Sequence, residues 1–330
     1  MENAGLPPAV SNYSRESWSI KPTGYLGTPF SGRLWPLRKL ASSWLDYRRA
    51  RRQILDFVRG TQGHLFQCIL RIRYIIKERV VITRSNITIY GQTSDELTYS
   101  QNKVTIYNNI PASTAGSNEA SATVSIHASA KDVKIYNLNI ANTYGRGSQA
   151  IALAINNTHF GGYGLNLTGY QDTLLTNNGL HFLSKGYING ATDFIFGMNS
   201  SIWITQSTIE TIDNGWITAS GRLFDDPFYY VIDRSNIVGK GTQYLGRPWR
   251  NYARVVFQNS VLGSQIQPAG WSAWGTTNPM TDHVFYGEYN NSGPGSWNSK
   301  RAPFATNMTE ALTLDTVFGG STNWVDPAYL

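Results

Sequence analysis

From about residue 81 onward the chain runs as short apolar segments separated by Gly, Asn and Ser. Within each segment apolar and polar residues alternate, which is the pattern of strands that bury one face. The segments also share a register. VKIYNLNIAN, FGGYGLNLTG, HFLSKGYING, IWITQSTIET, YVIDRSNIVG and VFQNSVLG align on a late aliphatic residue: Ile140, Leu167, Ile188, Ile209, Ile237 and Val261. Five positions before these anchors stand Ile135, Gly162, Leu183, Ile204, Ile232 and Val256, all apolar or Gly. The anchors are 27, 21, 21, 28 and 24 residues apart. Strand units recurring at that period predict the coils of a solenoid, each strand paired in parallel with its counterpart one coil away. An antiparallel sandwich also has evenly spaced strands, but it does not require one register in six units. The predicted fold class is therefore all-β, a parallel β-helix over residues 76–330, with an atypical basic segment over residues 1–75.

On this lattice Asp172 lies five residues after Leu167, and Asp193 lies five after Ile188. The two carboxylates should stack on one face of consecutive coils, about one 4.8 Å strand spacing apart. Two carboxylates so close cannot both ionise freely, so one keeps its proton while the other stays charged. That is the pairing of a general acid beside an ionised carboxylate. Two unrelated turn aspartates on the surface satisfy the spacing equally well. The neighbours are Gly169-Tyr170-Gln171 before Asp172 and Phe194-Ile195-Phe196-Gly197 after Asp193, an apolar surround that desolvates the second carboxylate. Gln149 opens the run Gln149-Ala150-Ile151-Ala152-Leu153. In Leu245-Gly246-Arg247-Pro248-Trp249 the guanidinium can hold a carboxylate and the indole can face a sugar ring. Taken singly, Arg247 reads as a surface ion-pair residue and Trp249 as a core filler.

QAIAL, GYQDTL, DFIFG and LGRPW, in that order, resemble four signature motifs of the pectin methylesterases. SNEASATVSIHA, WITASGR and the ending NWVDPAYL are similar to the fungal branch. The resemblance runs from about residue 80 to the C-terminus and implies a right-handed helix and a carboxyl ester hydrolase. It assigns Asp193 as nucleophile toward the C6 carbonyl of a methyl-esterified galacturonate, and Asp172 as acid and then base. It further implies Gln149 and Gln171 as oxyanion donors, Arg247 as the residue that orients Asp193, and Trp249 and Thr123 as substrate contacts. The partner it implies is methyl-esterified homogalacturonan (pectin), met outside the cell by a monomer, with no metal or organic cofactor.

Other readings are weaker. No Gly-x-Ser-x-Gly elbow of a serine esterase occurs. The Asn-Thr-Asp, Gly-His-Gly and Arg-Ile-Lys signatures of a polygalacturonase are missing, as is a lyase-like cluster of calcium-binding acids. A non-catalytic or misfolded pectin-binding homologue remains the rival, because the entrance to the helix departs from the family. Arg73 to Ile82 lacks the expected Gly-x-Tyr before Glu78. Where many relatives carry a pair of Cys, this chain has Leu165 and Gly186.

Charge is concentrated upstream. Residues 1–80 hold 14 Lys+Arg against 5 Asp+Glu, whereas residues 81–330 hold 14 against 16. The overall +7 is thus no nucleic-acid signature of the body. No apolar run approaches the roughly 18 residues of a membrane span. The opening MENAGLPPAV lacks the basic and apolar regions of a signal peptide. The basic leader reads as a gene-model artefact or degenerate sequence that should pack loosely on the helix. Cys68 is the single cysteine, so no intrachain disulfide is possible. Seven Asn-x-Ser/Thr sequons decide nothing about compartment, since Asn and Ser/Thr are so frequent here.

Overall fold

The computed structural model describes residues 66–70 and 74–330; the expectations for the basic leader lie almost wholly outside them. The described chain is a right-handed parallel β-helix in which every named strand pairing is parallel. Each full coil contributes three strands, so the helix has three faces. The first face is a ladder of ten strands running from Phe66–Leu70 to Ala305–Asn307. The second begins at Tyr74–Lys77 and the third at Val80–Ile82. The long strand Tyr187–Gly197 bends from the second face to the third, pairing with Asn166–Thr168 at one end and Leu174–Thr176 at the other. The ladder therefore starts ahead of residue 76, the boundary read from the repeat. Phe66–Leu70 pairs in full register with Ile87–Gly91.

The register explains the repeat. On the second face Ile106, Ile140, Leu167, Ile188, Ile209 and Ile237 pair in succession. All are at most 3% exposed, and they form an aliphatic column along the interior. The last predicted anchor is displaced by one residue. Ile237 pairs with Leu262, which is fully buried, while Val261 is 47% exposed. The same slip moves the partner of Ile232 from Val256 to Phe257. Because side chains alternate with period 2, a slip of one residue exchanges core for solvent. The apolar pair Val261-Leu262 disguised it in the sequence.

The corner between the first and second faces is built from residues with positive φ. Asn137, Gly164, Lys185, Gln206, Arg234 and Asn259 follow one another there at φ between 43° and 58°. Each stands two residues after the inward residue of the first face, so one left-handed residue per coil turns the chain. Gly162 sits where the interior is already filled. A Cβ on it would lie 2.8 Å from Leu165 and 3.2 Å from Leu183. Leu165 occupies that space and is 2% exposed. Its carbonyl oxygen lies 2.8 Å from where a Cβ of Gly186 would stand, so the two positions are neighbours on successive coils.

Candidate active site

The second and third faces meet at a corner that carries Asp172 and Asp193. Gln171 pairs with Thr192, and the Asp172 amide donates to the Thr192 carbonyl at 3.1 Å. The two aspartates are thus adjacent rungs, about 4.8 Å apart along the helix axis. Both adopt the left-handed conformation, at φ 64° and 50°. Around Asp193 the pairing with the next coil loses regular register, with shifts between Gly190 and Thr192 and between Thr192 and Ile195. Irregularities of this kind re-aim side chains and are frequent beside active sites.

Asp193 is 6% exposed and is held from two sides of its carboxylate. Arg247 Nε donates to Oδ1 at 2.9 Å, and Nη2 donates to Oδ2 at 2.6 Å. Burial pushes this carboxyl above the usual range, and the guanidinium pulls it back. Asp172 is 5% exposed and has no cation within hydrogen-bonding distance among the described residues. Asn118, on the short helix Asn118–Ser121, donates to its Oδ2 at 3.4 Å. Burial, reinforced by the charge of Asp193, raises Asp172 well above an ordinary aspartate, and Arg247 opposes the rise. The environments differ in kind: Asp193 has a bidentate counter-ion, and Asp172 does not.

Gln149 and Gln171 stand on consecutive rungs, since the Ala150 amide donates to the Gln171 carbonyl at 3.1 Å. Both are partly exposed at the same corner. The Gln171 amide group has no hydrogen-bond partner among the described residues, so its donors remain available to a ligand. Trp249 packs on the outward side of the third face, where Ala122, Ile151, Ala154, Leu175, Phe196 and Ala219 form a buried apolar strip. Its ring lies 6.1 Å from that of Phe196. Gly221 makes this placement possible, because a Cβ there would come within 2.4 Å of the indole. Thr123 does not join the group. It is fully buried, and its hydroxyl donates to the Ala141 carbonyl at 2.8 Å, which leaves it no surface or spare donor for a saccharide. It stands at a bend just ahead of the strand Val124–Ile126, and the fold around that bend covers it, a point that a motif match does not carry.

Sequence reasoning overlooked three side chains. Trp216 and Trp274 both lie over the Arg247 guanidinium, with ring centroids 3.6 Å and 4.3 Å from its central carbon. Asn118 reaches Asp172 from the short helix Asn118–Ser121, outside the repeat. Trp216 pairs with Thr192 on one side and Tyr244 on the other, so it occupies the coil between Asp193 and Arg247.

Comparison with known proteins identifies the family. The family described as Pectinesterase matches residues 61–314. A probable pectinesterase A of Neosartorya fischeri is 42% identical over 262 residues, covering 77% of this chain and 78% of that one. The pectinesterase of Aspergillus aculeatus is 41% identical over 256 residues, covering 74% and 77%. Among solved structures, the deglycosylated pectin methylesterase of Aspergillus niger superposes with a TM-score of 0.76 at 38% identity, over 84% of this chain and 93% of that one. The carrot pectin methylesterase gives 0.70 at 25% identity, over 79% and 86%. A family model matched over residues 61–314, with relatives 41–42% identical over about three quarters of the chain, places this protein in the pectinesterase family as a carboxylic ester hydrolase.

Proposed function

We propose that this enzyme removes methyl esters from the C6 carboxyl of galacturonate units in pectin, through Asp193 as nucleophile and Asp172 as acid and base. The observation that carries the reading is the unequal pair: a buried aspartate inclined to keep its proton, stacked on one paired with arginine. An Asp193 oxygen attacks the ester carbonyl carbon, and the charge that develops on the carbonyl oxygen is met by the amides of Gln149 and Gln171. Such donors contribute about 3–4 kcal/mol each when aimed at an oxyanion. The intermediate collapses to an anhydride as the methoxy group leaves with the Asp172 proton, yielding methanol. Asp172, now charged, accepts a proton from water. That water opens the anhydride, which restores Asp193 as a carboxylate and leaves a galacturonic acid that releases its proton to solvent. Trp249 supports the sugar ring next to the ester. The substrate is methyl-esterified homogalacturonan, and we place the action of the enzyme outside the cell, as a monomer.

The test is methanol release from methylated pectin by the purified protein, with Asp193→Asn alongside. Release by the wild type and none by the folded variant supports the assignment. Pectin binding without methanol from the wild type returns the chain to a non-catalytic binding role.

A further inference from the structure

Arg247 stands two coils beyond Asp193, with Trp216 on the coil between them. Its guanidinium must cross about two strand spacings, or roughly 9.6 Å, to meet the carboxylate with both prongs. A flexible side chain spanning that gap over open solvent would lose the bidentate geometry, since many rotamers compete with the productive one. Here the gap is bridged by aromatic surface. The central guanidinium carbon lies 3.6 Å from the Trp216 ring and 4.3 Å from the Trp274 ring. Trp216 is itself tied down. Its Nε1 donates to Ser272 Oγ at 2.6 Å, and its ring stacks on Tyr244 at 6.4 Å with planes 17° apart. Trp274 is braced against the buried strip of the third face, and its amide donates to the Pro279 carbonyl at 3.0 Å.

We infer that Trp216 and Trp274 are positioning residues: a pair of indoles that holds the Arg247 guanidinium in register and, through it, keeps Asp193 aimed and ionised. The inference rests on the reading of Asp193 as nucleophile. A planar, weakly hydrated guanidinium suits this setting, since it stacks on indole faces while its edge keeps the carboxylate. The indoles also displace water from the ion pair, which strengthens its attraction. A sugar platform is the competing role for both rings. It fits less well, because the Arg247 guanidinium lies 3.6 Å and 4.3 Å from these two ring centroids, on indole surface that a sugar would use, whereas the Arg250 guanidinium stands 5.6 Å from that of Trp249.

Burial raises the Asp193 carboxyl and Arg247 lowers it, while the charge of Asp193 adds to the rise that burial causes in Asp172 on the adjacent coil and in the buried phenol of Tyr286. Loosening Arg247 removes the one favourable partner, so protonation of Asp193 should extend to higher pH. The experiment compares Trp216→Leu, Trp216→Phe and Trp274→Leu with the wild type. The readouts are kcat, KM, the acid limb of the kcat profile, and the Arg247 Nε–H resonance by NMR. Trp216→Leu is expected to lower kcat at least tenfold with KM within twofold, and to move the acid limb upward. Trp216→Phe should restore most of both, and Trp274→Leu should act in the same direction. In the wild type the Nε–H should exchange slowly and carry a ring-current shift that Trp216→Leu abolishes. A rise in KM with an unmoved acid limb, or an unchanged Nε–H resonance in Trp216→Leu, overturns the inference. Should Trp216→Leu fail to fold, Ser272→Ala unties only the indole: faster Nε–H exchange supports the clamp and unchanged exchange refutes it. A wild type that releases no methanol refutes the esterase reading instead, and the NMR comparison still decides the clamp.

Discussion

Asp172 and Asp193 hold their carboxyl groups at the corner by means of a backbone conformation that costs most residues about 1–2 kcal/mol. Aspartate tolerates it better than bulkier side chains, so both can serve as corner residue and reactive group at once. In the proposed mechanism their ionisation governs activity: Asp193 loses its proton to attack, and Asp172 keeps its own to release methanol. The rate should therefore rise with pH as Asp193 ionises and fall as Asp172 ionises, giving a bell whose limbs belong to the coupled pair. Arg247→Gln removes the cation that lowers both carboxyls. Its acid limb should move to higher pH and kcat should drop at least a hundredfold at neutral pH, measured as methanol release across pH. Stability gives an independent check. Because the folded-state pKa of Asp172 is raised, the native protein binds more protons than the unfolded chain once pH exceeds about 3.9. Stability is then lost as pH rises through the window up to the raised value. Asp172→Asn should abolish most activity yet raise Tm at pH 8 by about 2 °C or more, with the gain vanishing near pH 4. A gain independent of pH would show that repulsion and burial of charge are not its source.

At the scale of elements, the ladder demands inward residues of one kind at one phase. The displaced end of the aliphatic column offers a direct test. Leu262→Ala deletes a buried side chain from the interior and should cost about 2–5 kcal/mol. Val261→Ala alters an exposed position and should stay within about 0.5 kcal/mol. Equilibrium denaturation of both variants distinguishes the observed register from the one read off the repeat, for which the ranking reverses. Thr123 and Trp216 make a complementary point. Thr123 sits at a bend just ahead of the strand Val124–Ile126 and is completely buried, whereas Trp216, within the strand Thr208–Ser220, stays at the corner surface.

The whole molecule depends on contacts that no coil contains. The last residues fold back across the outside of the first face. There Trp324, Val325 and Tyr329 pack on Tyr136, Tyr163, Phe182 and Trp203. Tyr136 donates to Asp326 at 2.7 Å, the Asp326 amide donates to the Tyr163 hydroxyl at 2.8 Å, and Ser184 donates to the Tyr329 carbonyl at 2.8 Å. This closure lies on a different face from the aspartate corner, so its loss should reduce stability and leave catalysis intact. Trp324→Ala should cost about 3–5 kcal/mol, lowering Tm by about 6–15 °C. Its KM and kcat at 20 °C should match the wild type. An unchanged Tm, or a lost activity in a folded variant, would contradict this division.

Period and phase were legible in the chain from residue 81 onward, because a solenoid repeats one packing problem and each coil answers it with the same local pattern. Ile140, Leu167 and Ile188 mark the interior wherever they are read, and Asp172 and Asp193 share an offset from it. Motif resemblance added Gln149, Gln171, Arg247 and Trp249. The phase failed only where two apolar residues stood side by side, at Val261-Leu262, since hydrophobicity cannot choose between neighbours that alternate in direction. Contacts between distant segments were decided by the tertiary structure alone. Nothing local announces that Asn118 reaches Asp172, that Thr123 turns inward, or that Trp216 and Trp274 close on Arg247. Those pairings arise from how far one coil turns before the next is laid on it, and from where irregular loops bring back their side chains. Both are properties of the assembled helix rather than of any one segment.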